Sequence, residues 1–89
     1  MATPLLSVVL PAYNAEAYLE PAVHSVLQQS FEDFELIVID DGSTDGSAAI
    51  IAGYGERIRA VYQRNQGHVA AFNHGFAAST GSILIFLDA

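Results

Sequence analysis

Apolar residues gather along this chain in short runs, separated by polar turns and by segments of helical period. Leu5-Leu6-Ser7-Val8-Val9-Leu10 is one such run, stopped by Pro11, and predicts a buried first strand that breaks into the loop Pro11-Ala12-Tyr13-Asn14. Tyr18, Leu19, Ala22, Val23, Val26 and Leu27 then recur at helical spacing, with Glu20, Ser25 and Gln28 on the other side. That pattern predicts an amphipathic helix starting near Ala17 or Tyr18, with Pro21 in its first turn, where a missing N–H is tolerated. Phe34 to Ile39 is a strand-length run rich in β-branched residues, and it ends abruptly in Asp40-Asp41-Gly42-Ser43-Thr44-Asp45. Ser47 to Tyr54 predicts a short helix terminated by Gly53 and Gly55. Ile58 to Tyr62 alternates as a half-exposed edge strand would. Val69, Phe72, Phe76 and Ala77 recur at steps of three and four through Gly67 to Ser79, giving a third helix closed by Gly81. Ser82 to Leu87 is a last apolar strand, followed by Asp88-Ala89.

Strands alternating with helices as βαβαβαβ predict an α/β fold with a Rossmann-like parallel sheet and right-handed crossovers. In such sheets ligands collect at the carboxyl ends of the strands. Asp40, Asp41 and Asp45 are therefore the first candidates for polar chemistry. The plainer alternative is that Asp41-Gly42 makes a turn and that Ser43, Thr44 or Asp45 caps the next helix. A fully apolar last strand wants neighbours on both edges. We therefore expect residues 1–89 to be the amino-terminal part of a larger domain, and we expect the unpaired last strand to drive homo-oligomerisation.

Composition narrows the chemistry. Ten acids face three arginines and no lysine, for a formal net charge of -7, so Arg57, Arg59 and Arg64 cannot supply the cationic surface that nucleic acid requires. A phosphate-bearing ligand would have to be neutralised by helix amino termini, backbone amides or a carboxylate-held cation. The absence of cysteine excludes disulfides and thiolate metal sites. No apolar run reaches the roughly 18 to 20 residues of a membrane span, and the start lacks the pattern of a signal peptide, which suggests a cytoplasmic chain.

Ser7 to Asn14, Phe34 to Asp45, Asn65-Gln66-Gly67 and Gly81 to Asp88, in this order and spacing, resemble the family 2 glycosyltransferases. The resemblance covers essentially the whole chain. It implies a GT-A fold, a nucleotide-sugar donor, a divalent cation (Mg or Mn) and inverting transfer of the sugar to an acceptor. It also implies site residues. Pro11, Ala12, Tyr13 and Asn14 would wrap the nucleoside, with Tyr13 offering an aromatic face to the base. Glu16 would reach a ribose hydroxyl, unless it is simply a solvated acid at a helix start. Asp41 would accept the base N–H, which favours uracil and hence UDP, while Asp40 would support the loop. Asp88 matches the first acid of the family's D-x-D motif and would help to hold the ribose and the metal-bound diphosphate. Many relatives carry a basic residue where this chain has Phe72, so diphosphate contact would fall to Asn73, His68 or His74. The family's general base lies downstream, which implies that this segment alone does not catalyse transfer. The resemblance is compatible with a cytoplasmic parent, free or associated with the inner face of the membrane.

Two rivals belong to other classes. A dinucleotide-binding module needs Gly-x-Gly-x-x-Gly after the first strand, and Pro11-Ala12-Tyr13-Asn14 contains no glycine. A non-catalytic nucleotide-binding module of another kind, or a self-associating structural piece, stays open on the residues alone.

Overall fold

The computed structural model describes residues 4–87. Its elements run β1 (Leu6–Ala12), α1 (Glu16–Leu27), β2 (Phe34–Asp41), α2 (Ser47–Gly53), β3 (Arg59–Gln63), α3 (His68–Ala78) and β4 (Ile83–Phe86), with one 3-10 turn at Gly55–Arg57. The strands form a single parallel sheet in the order β3-β2-β1-β4.

Side chains alternate across each strand, so the sheet buries two separate layers. Val8, Leu10, Leu36 and Val38 meet Leu19, Val23 and Val26 of α1 and Ile51 of α2 on one face. Val9, Ile37 and Ile39 meet Ala71 of α3 on the other. The chain moves outward from β1 to β2 to β3 with its helices on the first face. It then crosses back over β2 and β1 to β4 along the second. The helices that follow β2 and β3 therefore lie on opposite faces of the sheet, and the loops leading to them meet at the carboxyl ends of those strands.

Four local expectations change. First, β1 does not stop at Leu10 but runs through Pro11 to Ala12. The N–H groups of Ile83 and Leu87 donate to Leu5 and Val9, so alternate residues of β1 face β4, and Pro11 falls past the last pair, Val9 with Phe86. Its missing N–H interrupts no bond to β4, while pairing to β2 continues through Pro11 with Ile39 and Ala12 with Asp40.

Second, α1 begins at Glu16, which leaves Pro21 inside the helix. Acceptors from the β2–α2 loop meet the N–H groups of Ala15 and Glu16 and allow the earlier start. The bond that Pro21 cannot make would have gone to the carbonyl of Ala17, and both residues are exposed, so water can meet it.

Third, the apolar stripe of α3 does not face the sheet. Val69 is 74% exposed and Phe76 67%, while Ala71 and Gly75 are buried. A Cβ at Gly75 would collide with Val9 Cγ1, so the helix lies close on its smallest residues and the large ones splay outward. Phe72 packs edge-on against Phe86 with ring centroids 4.7 Å apart. Fourth, Gly81 does not close α3, which ends at Ala78 with Ser79 extended. Instead Gly81 N–H donates to Ser7 Oγ at 2.8 Å, and a Cβ there would come within 2.8 Å of the Leu6 and Ser7 backbone.

Among the described residues β4 pairs only with β1, and no helix is long and apolar enough to cross a membrane.

Candidate functional site

The carboxyl end of β2 carries two buried acids whose roles differ. Asp40 Oδ1 accepts the N–H of Ser43 at 3.1 Å and so shapes the turn that follows. Asp41 gathers the β3–α3 loop. Its Oδ1 accepts Gln63 Nε2 at 2.7 Å and Gln66 N–H at 2.8 Å, and its Oδ2 accepts Gly67 N–H at 3.1 Å and Asn65 Nδ2 at 3.4 Å. Burial alone would raise the pKa of Asp41. The bonds from Gln63, Gln66 and Gly67, with the nearby His68 imidazole, outweigh it and hold the carboxyl below its ordinary value.

Gly42, at φ +71°, lets the two loops meet; a Cβ there would sit 2.5 Å from Asn65 N. Gln63 was not singled out by sequence. Its register position opposite Asp41 brings its amide to the site, and Gln63 Oε1 is buried with no hydrogen-bond partner in the structure. The only earlier signal was its place one residue beyond an alternating strand.

The β1–α1 and β2–α2 loops are laced together. Asn14 N–H donates to Ser43 Oγ at 3.0 Å, Ala15 N–H to Ser47 Oγ at 3.0 Å and Glu16 N–H to Asp45 Oδ2 at 3.2 Å. In return, Asn14 Oδ1 accepts Thr44 N–H at 2.7 Å, Thr44 Oγ1 at 3.3 Å and Asp45 N–H at 3.3 Å. Glu16 Oε2 accepts Gly46 N–H at 3.0 Å. Ser43 and Ser47 thus serve the neighbouring loop. Asp45 does both, since its Oδ1 also accepts Ser47 N–H at 2.9 Å; the bonds from Ser47 hold its carboxyl below the ordinary value.

The structure brings Pro11, Ala12, Asn14, Glu16, Asp40 and Asp41 to one edge of the sheet. Pro11 and Ala12 are buried, while the Tyr13 ring beside them is 49% exposed. Glu16, exposed at the start of α1, joins the two loops through its N–H and its Oε2. Asn73 and His74 are exposed on α3, and His24 is exposed on α1. Asp88 lies outside the described residues. Among those described, no group of three or more His, Asp or Glu side chains is placed to hold a metal ion. The residues in view therefore do not assemble a cation site of their own.

At the opposite end of β2, Glu35 makes a network that no motif announced. Its Oε2 accepts Ser7 Oγ at 2.6 Å, Thr80 N–H at 2.7 Å and Thr80 Oγ1 at 2.9 Å; its Oε1 accepts Arg59 Nη1 at 2.9 Å. This cluster anchors the α3–β4 connection and stands apart from the Asp40–Asp41 end of the strand.

The family model for Glycosyl transferase family 2 matches residues 7–89. This chain belongs to that family. Among its relatives is a putative teichuronic acid biosynthesis glycosyltransferase, TuaG, of Bacillus subtilis, 45% identical over 89 residues that cover 96% of this chain and 35% of the relative. An uncharacterized glycosyltransferase of Nostoc sp. is 46% identical over 88 residues, covering 94% and 27%. Of solved structures, S. aureus TarS 1-349 in complex with UDP-GlcNAc superimposes with a TM-score of 0.81 at 28% identity, over 93% of this chain and 26% of that one. Glucosyl-3-phosphoglycerate synthase from Mycobacterium tuberculosis, in complex with Mn2+, UDP and glucosyl-3-phosphoglycerate, gives 0.77 at 35% identity, over 96% and 33%. The fold is the Rossmann-like α/β sheet of GT-A glycosyltransferases, and the chain spans roughly a quarter to a third of the length of these relatives and solved structures.

Proposed function

We propose that this chain forms the donor-binding part of an enzyme that transfers a sugar from a nucleotide sugar, a UDP-sugar, to an acceptor hydroxyl with inversion. One observation carries the reading. The carboxyl ends of β2 and β3 carry the buried pair Asp40 and Asp41, and the loop laced to that edge presents the half-exposed ring of Tyr13. Relatives of the same fold bind UDP or UDP-GlcNAc.

Tyr13 supplies a stacking face for the base, and the backbone of Pro11 and Ala12 lines the approach. A ring N–H of uracil would take Asp41 Oδ2 in place of the long bond from Asn65 Nδ2, at 3.4 Å the weakest of the four. Asp40 keeps the β2–α2 turn in shape, and Asn73 joins the phosphate-facing side with His68, near the start of α3.

A divalent cation, Mg or Mn, would be held in part by Asp88 and would neutralise charge on the departing diphosphate. The general base would come from sequence outside these residues, so the 89-residue chain by itself binds nucleotide without transferring sugar. The enzyme would work in the cytoplasm, free or at the inner face of the membrane. The uncovered faces of β4, with Ile83, Ile85 and Phe86 exposed, also favour self-association of the isolated chain.

Titration of the isotope-labelled chain with UDP, with and without magnesium, tests the reading. Amide shifts centred on Ala12, Tyr13 and Asp41, with little dependence on magnesium, are expected. A folded chain whose amides do not move would count against a self-sufficient nucleoside pocket.

A further inference from the structure

Helix starts are ordinarily capped by the Ser, Thr, Asp or Asn that precedes them. Here the N-cap positions of α1 and α2 are Ala15 and Gly46, and neither makes a side-chain cap bond. The N–H groups of Ala15 and Glu16 at the start of α1 are met across the gap by Ser47 and Asp45, and Gly46 N–H is met by Glu16, while Asp45 also accepts Ser47 N–H within its own loop. Asn14 stands at the centre of this exchange. It gives its N–H to Ser43 and takes three donors from Thr44 and Asp45 on one oxygen. Its φ of +48° is left-handed, a conformation that a non-glycine residue keeps only when its surroundings hold it.

We infer that Asn14 and Glu16 are positioning residues of the nucleotide site: they bind the β2–α2 loop and fix the backbone from which Tyr13 projects. Asn14 Oδ1 already accepts three donors, which leaves it little capacity for a ligand donor. Glu16 receives Gly46 N–H while its own N–H is held by Asp45. A Cβ at Gly46 would meet Glu16 Oε2 and displace the carboxylate from its bond with Gly46 N–H. Ser43, Asp45 and Ser47, which look like turn and cap chemistry, thereby act on the first loop as well. They hold Tyr13 in place before any ligand arrives, and pre-organisation of this kind lowers the entropy lost on binding. The functional consequence rests on the nucleotide-binding reading above, whereas the coupling of the two loops belongs to the chain alone.

Two arms test the inference on the 89-residue chain. In the first, hydrogen exchange compares Asn14→Gly, which permits the positive φ but removes the oxygen, with Asn14→Asp, which keeps an acceptor. The Thr44 and Asp45 amides should exchange about tenfold faster in Asn14→Gly and return towards the parent rate in Asn14→Asp. Unchanged exchange in Asn14→Gly would overturn the coupling.

In the second arm, UDP affinity is measured for Tyr13→Ala, Asn14→Gly and the double variant. Each single change should weaken binding about tenfold. Asn14→Gly should add less than about twofold once Tyr13 is gone, because it acts through that ring. Full additivity would overturn the inference by making Asn14 a contact in its own right. A parent chain that binds no UDP would remove the proposed function, and exchange alone would then decide the coupling.

Discussion

Glu35 and Asp41 lie on the same strand, yet they sit at opposite ends of it and their surroundings give them different work. At the start of β2, Glu35 meets hydroxyls, an amide and a guanidinium, all from its own chain. Burial would raise its pKa, but the bonds from Ser7, Thr80 and Arg59 prevail and bring it from 4.5 to about 2. A carboxyl whose folded value is depressed stabilises the fold fully above its unfolded value, and that contribution is lost as pH falls through the folded value. Stability to urea should therefore decline between about pH 5 and about pH 2, with the lowered values of Asp41 and Asp45 adding in the same sense. Glu35→Gln should flatten part of that decline and lower stability at neutral pH by about 1–3 kcal/mol, since the amide cannot accept all these donors. A parent curve that stays level across this range would refute the assignment. Sequence could mark Asp40 and Asp41 because they break an apolar run. It could not mark Glu35, whose partners Ser7, Arg59 and Thr80 are scattered along the chain.

Elements were easier to foresee than the faces they bury. Every helix and strand except the 3-10 turn follows from the apolar pattern, within a few residues at its ends. Helix α3 reverses the usual reading of amphipathicity. Its large residues look like the core stripe, but close approach to β1 selects Ala71 and Gly75. Gly75→Ala should destabilise the chain by about 1–3 kcal/mol through overpacking against Val9. In the double variant with Val9→Ala the combined loss should be smaller than the sum of the two, because the added methyl enters the space vacated. Equilibrium urea unfolding of the parent, the single variants and the double variant measures this coupling, and strict additivity would argue against the contact. Likewise α1 starts early because acceptors arrive from residues 43–47, which no local propensity could announce.

For the whole molecule, the uncovered flanks of β4 stand out. Ile83 and Ile85 share the face of Leu6 and Val8, where a groove bounded by Val26, Phe31 and Leu87 lies open, while Phe86 is exposed on the α3 side. A chain with a net charge of -7 repels its copies most strongly at low salt. Sedimentation velocity should therefore show association that grows with salt and is suppressed by Ile85→Lys. A monomer at high concentration and high salt would refute self-association through this strand.

The sequence by itself determined the alternation of strands and helices, the parallel α/β class, the family, and the strand end at which the acids collect. These are local properties: hydrophobic period, turn residues and short motifs are set by neighbours in the chain. Only the tertiary structure decided the order β3-β2-β1-β4, the placing of α2 and α3 on opposite faces, the donors that fill Asp41, and the bonds that cross between Asn14 to Glu16 and Ser43 to Ser47. Those features join residues about thirty positions apart, such as Asn14 and Thr44. Their partners become neighbours only when crossover helices return the chain to the same edge of the sheet.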